Sequence, residues 1–258
     1  MSQAMPIQLS AEQVADYQRD GFLVVPDVLC AEEAGAFLSH QAARPEEYDL
    51  GLRSHVVDPQ WRYLATHRNV AGVAEQLIGG TPCVVQTMYL PKPAGENAVG
   101  IALHQDAHYL PTEPDTLMAC WIALSDTDGD NGGFCAVPGS HLDGVRSWHV
   151  SQGDEHSNWS ADQLMRDRAG REWTQTFHSF EVDDLDPASV RRLEVPAGSA
   201  VFFTGLTVHG SYANRSADRA RLAWAVHYVK EGSWISRADV QETVSVPELA
   251  AAGRERSS

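Results

Sequence analysis

Apolar positions change their spacing about a third of the way along this chain. Ahead of residue 80 they recur at helical intervals in short blocks. Leu9-Ser10-Ala-Glu-Gln13 reads as a helix start, with Ser10 as the cap and Gln13 closing a capping box. Val14 and Tyr17 then fall on one face, and Gly21 stops the helix. Phe22 to Val25 is a short apolar strand ended by Pro26. A second helix is expected over about Ala31 to Gln41. Arg44 to about Gln60 reads as irregular, and a third helix runs from Asn69 to Ile78, ending at Gly79-Gly80.

From Cys83 the texture becomes that of strands. Val84 to Leu90, Thr116 to Leu124, Phe134 to Val137, Ser199 to Phe203 and Arg221 to Val229 are apolar runs separated by Gly-, Pro-, Asn- and Asp-rich turns. Many short strands of this kind predict a barrel or two-sheet jelly roll. Residues 142 to 190 break the pattern. They are polar, hold Trp148, His149, His156, Trp159, Trp173 and His178, and read as a lid inserted between barrel strands, helical over Ser160 to Arg171. The organisation expected is one domain over 1–258, with a helical support over 1–80 and a core over 83–230. The tail after Val246 is Ala-, Glu- and Arg-rich, and its last residues are expected to fray.

Charge narrows the choice of partners. The 258 residues carry a formal charge of −16, which argues against a nucleic-acid footprint and against docking on an anionic membrane. Only Lys92 and Lys230 are lysines. The four cysteines form no C-x-x-C, so a zinc ribbon or dithiol site is not expected. Cys120 and Cys135 read as core thiols. The N-terminal residues show no signal-peptide pattern, and no apolar run is long enough to span a bilayer, so a cytoplasmic location is expected.

The chemistry is concentrated in Leu103-His-Gln-Asp-Ala-His108. His104 and Asp106 are two apart, so on extended backbone they share a side. A distant His209, after a second strand-like run, would complete two imidazoles and one carboxylate. That set leaves three corners of an octahedron open, the arrangement of non-haem Fe(II) oxygenases.

Together with Trp121, Asn131-Gly-Gly133, Val137-Pro-Gly-Ser-His141 and His209-Gly-Ser211, this stretch resembles the phytanoyl-CoA dioxygenase family of Fe(II)/2-oxoglutarate oxygenases. The resemblance runs from about Phe22 to Val229. It implies a mainly β fold with flanking helices, built on a double-stranded β-helix (jelly-roll, cupin-like) core. It implies His104, Asp106 and His209 as ligands of Fe(II), with 2-oxoglutarate and O2 as co-substrates. An Arg must meet the far carboxylate of 2-oxoglutarate, because its planar fork can give two hydrogen bonds. Arg221 and Arg219 compete for that role. Counting back from His227-Tyr228 favours Arg221, with Arg219 the alternative. Ser211 resembles the hydroxyl that assists this carboxylate, and Gln105, Met88 and Trp121 match positions lining the pocket.

Three other histidines are placed more modestly. His108 could line the substrate mouth, His141 holds a turn, and His227 is a satisfied core residue. With a carboxylate at 106 there is no room for a halide, so the resemblance implies hydroxylation or a related oxidation of a C–H bond in a small organic molecule. A bacterial natural product or metabolite fits better than an acyl-CoA, whose phosphates want clustered basic residues. The rival classes are a non-catalytic metal- or ligand-binding barrel and a zinc hydrolase. The hydrolase would need a carboxylate base, and no H-E-x-x-H is present.

Overall fold

A computed structural model describes residues 6–44, 51–95, 98–152 and 154–255. Expectations for the first five residues, for 45–50 and for the last three lie outside the described residues. The helical third holds α1 (Ala11–Asp20), β1 (Phe22–Val25), α2 (Ala31–Ala42), α3 (Ser54–Val57), α4 (Pro59–Ala65) and α5 (Arg68–Ile78). Ser10 accepts from the Gln13 amide, Gln13 reaches back to Ser10, and Gly21 caps α1 in the left-handed conformation. The stretch before residue 60 is not irregular throughout, as its composition suggests. Asp58 accepts from the Gln60 and Trp61 amides and Pro59 sits in the first turn, so Asp-Pro starts α4.

The strands follow as β2 (Pro82–Lys92), β3 (Ile101–His104), β4 (Thr112–Glu113), β5 (Met118–Ala123), β6 (Phe134–Ala136) and β7 (Trp148–Val150). Next come β8 (Ser160–Arg166), β9 (Glu172–His178), β10 (Phe180–Val182), β11 (Arg191–Arg192), β12 (Ala200–Thr204) and β13 (His209–Ser211). The chain ends with β14 (Arg221–Lys230), β15 (Trp234–Ile235), β16 (Val244–Ser245) and α6 (Val246–Glu255). The tail is helical up to residue 255, and the last residues, expected to fray, lie outside the described residues.

Two antiparallel sheets face each other. One has strand order β1-β12-β5-β14-β2-β16, the other β11-β6-β13-β3. This is the jelly-roll core read from the sequence. β14 shows why it closes. Trp224, Val226 and Tyr228 pack outward with Phe37, Trp61 and Leu64 of the helical layer, while Ala223 and Ala225 face Trp121, Phe134 and Phe203 between the sheets. Burying each large outward side chain contributes about 1.5–3 kcal/mol. The alanines facing the second sheet leave room for a cavity.

The insertion between β6 and β11 carries two ribbons, β7 with β10 and β8 with β9. The helix expected over Ser160 to Arg171 is absent. Leu164 and Gln163 alternate exposed and half-buried along β8, and pairing with the Thr- and aromatic-bearing β9 outweighs the helix propensity of Ala-Asp-Gln-Leu-Met-Arg. Among the described residues, no helix is long and apolar enough to cross a membrane.

Candidate active site

β13 pairs with β3 so that His209 lies directly across from His104. Their rings are 4.3 Å apart, centroid to centroid. Asp106 follows in the turn after β3 and turns its carboxylate toward both. Its Oδ1 is 3.5 Å from His104 Nε2 and 3.8 Å from His209 Nε2. The donor atoms of the three residues lie within 4.8 Å of one another. Gly210 makes this approach possible, because a Cβ there would lie 2.6 Å from the Ile101 carbonyl oxygen.

Hydrogen bonds fix which nitrogen each imidazole offers. His104 Nδ1 donates to the Ala102 carbonyl at 2.8 Å, and His209 Nδ1 to the Thr207 carbonyl at 2.9 Å. Both Nε2 lone pairs are therefore free to bind a metal. Burial draws the His209 imidazole down to about 4, against the pull of Asp106. Burial alone would raise the Asp106 carboxyl, but His209 and His227 hold it well below the usual carboxylate range. A neutral imidazole beside an ionised carboxylate is the state a divalent metal requires.

His227 is more than a satisfied core residue. Its Nε2 donates to Asp106 Oδ2 at 2.9 Å, leaving Oδ1 to face the two imidazoles. Gln86 Nε2 donates to His227 Nδ1 at 3.3 Å, which sets that tautomer. The signal was the alternation along β14. Arg221, Ala225 and His227 share one side of the strand, and all three line the cavity.

That cavity has a volume of about 400 Å³ and is bordered by the three donors, Met88, Trp121 and Ser211. Arg221 lies in its floor, 2% exposed. The guanidinium donates to the Gly132 carbonyl from Nε at 3.1 Å and to the Leu90 carbonyl from Nη1 at 2.7 Å, and it lies over the Trp121 ring. Among the described residues no carboxylate pairs with it, and burial lowers its pKa to about 10. A second cation, missed in the sequence, stands beside it. Lys92, across from Arg221 on β2, is 5% exposed and donates to Ser211 Oγ at 2.8 Å and to the Tyr212 carbonyl. Among the described residues neither group has a carboxylate partner, and such a pair would suit an anion.

Arg219 does not reach the cavity. It is exposed and pairs with Asp128 at 2.5 Å, so of the two candidates the structure brings only Arg221 to the site. Gln105 is also displaced. It points away from the metal donors, as alternation demands, and binds the Gly144 and Leu206 carbonyls and the Arg146 amide at the foot of the lid. His108 packs on Phe180 and Trp148 under the lid, and its neighbour Tyr109 lines the cavity instead. His141, expected to hold its turn, instead donates from Nε2 across to the Gln18 carbonyl of α1 at 3.1 Å.

The chain is similar to known proteins in sequence and in fold. A family model described as phytanoyl-CoA dioxygenase matches residues 17–223. A phytanoyl-CoA dioxygenase of Arabidopsis thaliana is 28% identical over 204 residues, covering 76% of this chain and 64% of the relative. A phytanoyl-CoA dioxygenase domain-containing protein 1 of Bos taurus is 32% identical over 208 residues, covering 77% of this chain and 63% of the relative. The chain thus spans less than two thirds of the length of either. Among solved structures, the epimerase SnoN in complex with Fe3+, alpha ketoglutarate and nogalamycin RO is 25% identical, with a TM-score of 0.65, covering 87% of this chain and 85% of that one. The carbocyclase SnoK from nogalamycin biosynthesis is 23% identical with a TM-score of 0.64, covering 90% of each chain, and supports the fold.

Proposed function

Because the chain belongs to the phytanoyl-CoA dioxygenase family, we propose that it is an Fe(II)- and 2-oxoglutarate-dependent oxygenase acting on a small organic molecule. The observation that carries this reading is the pairing, in one cavity, of a two-histidine, one-carboxylate donor set with a buried Arg that has no carboxylate partner among the described residues. His104, Asp106 and His209 would hold the iron. Arg221, with Ser211 and Lys92 behind it, would receive the far carboxylate of 2-oxoglutarate. When bound there, iron with O2 and 2-oxoglutarate would supply oxidation of a substrate C–H bond, with succinate and CO2 as co-products.

The chain's own residues supply position and dryness. Ala119 and Ala225 give the co-substrate space, while Phe134 and Phe203 wall it from water. His227 holds the outer oxygen of Asp106, so the carboxylate presents one oxygen to the metal. No side chain is assigned as general acid or base. Asp106 fills the position a halide would need, which favours oxygen transfer over halogenation, and hydroxylation is the outcome we assign.

An anaerobic titration of the apoprotein with Fe(II) and then 2-oxoglutarate tests this reading. A visible absorption band should follow the second addition and be lost in Asp106→Ala. Loading should then release succinate in the presence of substrate. Iron binding with no band in the wild-type protein would refute the co-substrate assignment and favour a metal-binding barrel.

A further inference from the structure

The cavity holds a second guanidinium that the co-substrate reading does not use. Arg237 lines it, 7% exposed, from the segment beyond β15. Its Nε and Nη2 meet Asp239 at 2.8 and 3.0 Å, and Nη2 also donates to Gln86 Oε1 at 3.4 Å. Gln86 donates to His227, and His227 to Asp106. Every donor in that series points inward, so the setting of Arg237 is tied to the outer oxygen of the metal-binding carboxylate. Nη1 has no hydrogen-bond partner among the described residues.

The walls near it are apolar and aromatic. Leu52, Leu110, Tyr109 and Trp159 line the same cavity, and Gln163 of β8 adds one amide. The Tyr109 and Trp159 rings are 5.5 Å apart and tilted by 32°. Such a wall takes up hydrocarbon, with a few convergent polar groups fixing orientation.

Resting on the oxygenase reading above, we propose that Arg237 anchors the substrate, and that the substrate is a small, mostly apolar carboxylic acid. Its carboxylate pairs with Arg237, its hydrocarbon part lies on Tyr109 and Trp159, and the carbon to be oxidised is held toward His104, Asp106 and His209. A carboxylate gives Nη1 a charge-assisted bond that no protein group provides. The Asp239 side chain is 43% exposed, so its hold on Arg237 is screened by water and yields to a substrate anion.

Calorimetry with 3-phenylpropionate and its uncharged analogue 3-phenylpropanamide tests this. It is run anaerobically on protein loaded with Fe(II) and saturating 2-oxoglutarate, and in parallel on metal-free protein. In both, the carboxylate should bind about tenfold or more tighter than the amide, the factor that one charge-assisted bond gives. Arg237→Gln should erase that preference. Asp239→Asn, which leaves Arg237 in place without its neutralising partner, should enlarge it. Equal binding of the two probes, no measurable binding of 3-phenylpropionate, or a preference untouched by R237Q would overturn the proposal. So would displacement of the probe by 2-oxoglutarate with loss in Arg221→Met, because the anion would then belong to the floor. Failure of the oxygenase reading shows separately, as a missing visible band while the metal-free protein still prefers the carboxylate.

Discussion

Replacing Arg221 by Met should cost the empty protein no more than about 3 kcal/mol and weaken its grip on 2-oxoglutarate far more. Two effects of opposite sign meet in the apoprotein. Burial holds the guanidinium pKa at about 10, below its ordinary value. At 1.36 kcal/mol per pKa unit, keeping that charge in the floor costs the apoprotein roughly 3 kcal/mol, which Met would recover. Against this, the Gly132 and Leu90 carbonyls lose charged donors, each worth about 1.5–3 kcal/mol. The sum runs from about zero to a loss of about 3 kcal/mol, a fall of less than roughly 12 °C in Tm for a chain of this size. Binding has no such cancellation. Losing the partner of a buried charge pair costs about 2–5 kcal/mol, or roughly 30- to several-thousand-fold in the affinity for 2-oxoglutarate. Thermal unfolding of the Fe(II)-loaded, anaerobic protein with and without 2-oxoglutarate reads both effects. At 100 times the wild-type Kd the wild type gains about 2.7 kcal/mol, and the variant at that concentration should gain less than about 1 kcal/mol. If the variant keeps the stabilisation, the carboxylate does not bind at Arg221. If the empty variant loses more than about 4 kcal/mol, Arg221 is part of the structural frame and not a vacant counter-ion site.

Two further outcomes follow from the same cavity. Burial, and then Arg221, push the Lys92 ammonium down to about 7; because this lies below its ordinary value, the charge costs stability in full below pH 7, and the cost fades as pH rises toward the unfolded value. Lys92→Met should therefore raise the urea midpoint more at pH 6 than at pH 9, and an equal shift at both would show that Lys92 is not strained by burial. His227→Phe removes the bond to Asp106 Oδ2 and should weaken Fe(II) binding by roughly 10- to 100-fold, read by anaerobic metal titration; a change under about twofold would make His227 mere packing.

What could be read in advance was whatever the backbone period carries. The shift from helical to alternating spacing located the jelly roll, and Ser10 with Gln13 located the first cap. His104 and Asp106 share a side because they are two residues apart, and the same rule turns Gln105 outward. Applied along β14 from Arg221, it also reaches His227, and along β2 from Met88 it reaches Gln86 and Lys92. Those residues are legible from register alone. The helix at α4 and the strand at β8 fail for another reason. Asp58-Pro59 is a start signal hidden in a stretch with no clear apolar period, and β8 is set by pairing with a strand across a turn, which local propensity does not record.

The two parts of the cavity differ in origin, and that difference explains why the His-Asp-His set was legible in the sequence while the outer cavity was not. Metal donors and floor cations stand on β2, β13 and β14 or in the turn after β3, where strand register fixes each position relative to the others. Leu52, Trp159, Gln163 and Arg237 come from a short turn, the lid and the segment beyond the core. No period links them in sequence, and Met165 bridges to Arg237 only once the β8–β9 hairpin has folded over the mouth. The strands can therefore conserve one oxidising centre while changes in lid length and in the last segment alter what reaches it. Specificity in this chain should then move with substitutions at Arg237 and along β8, at little cost to metal binding.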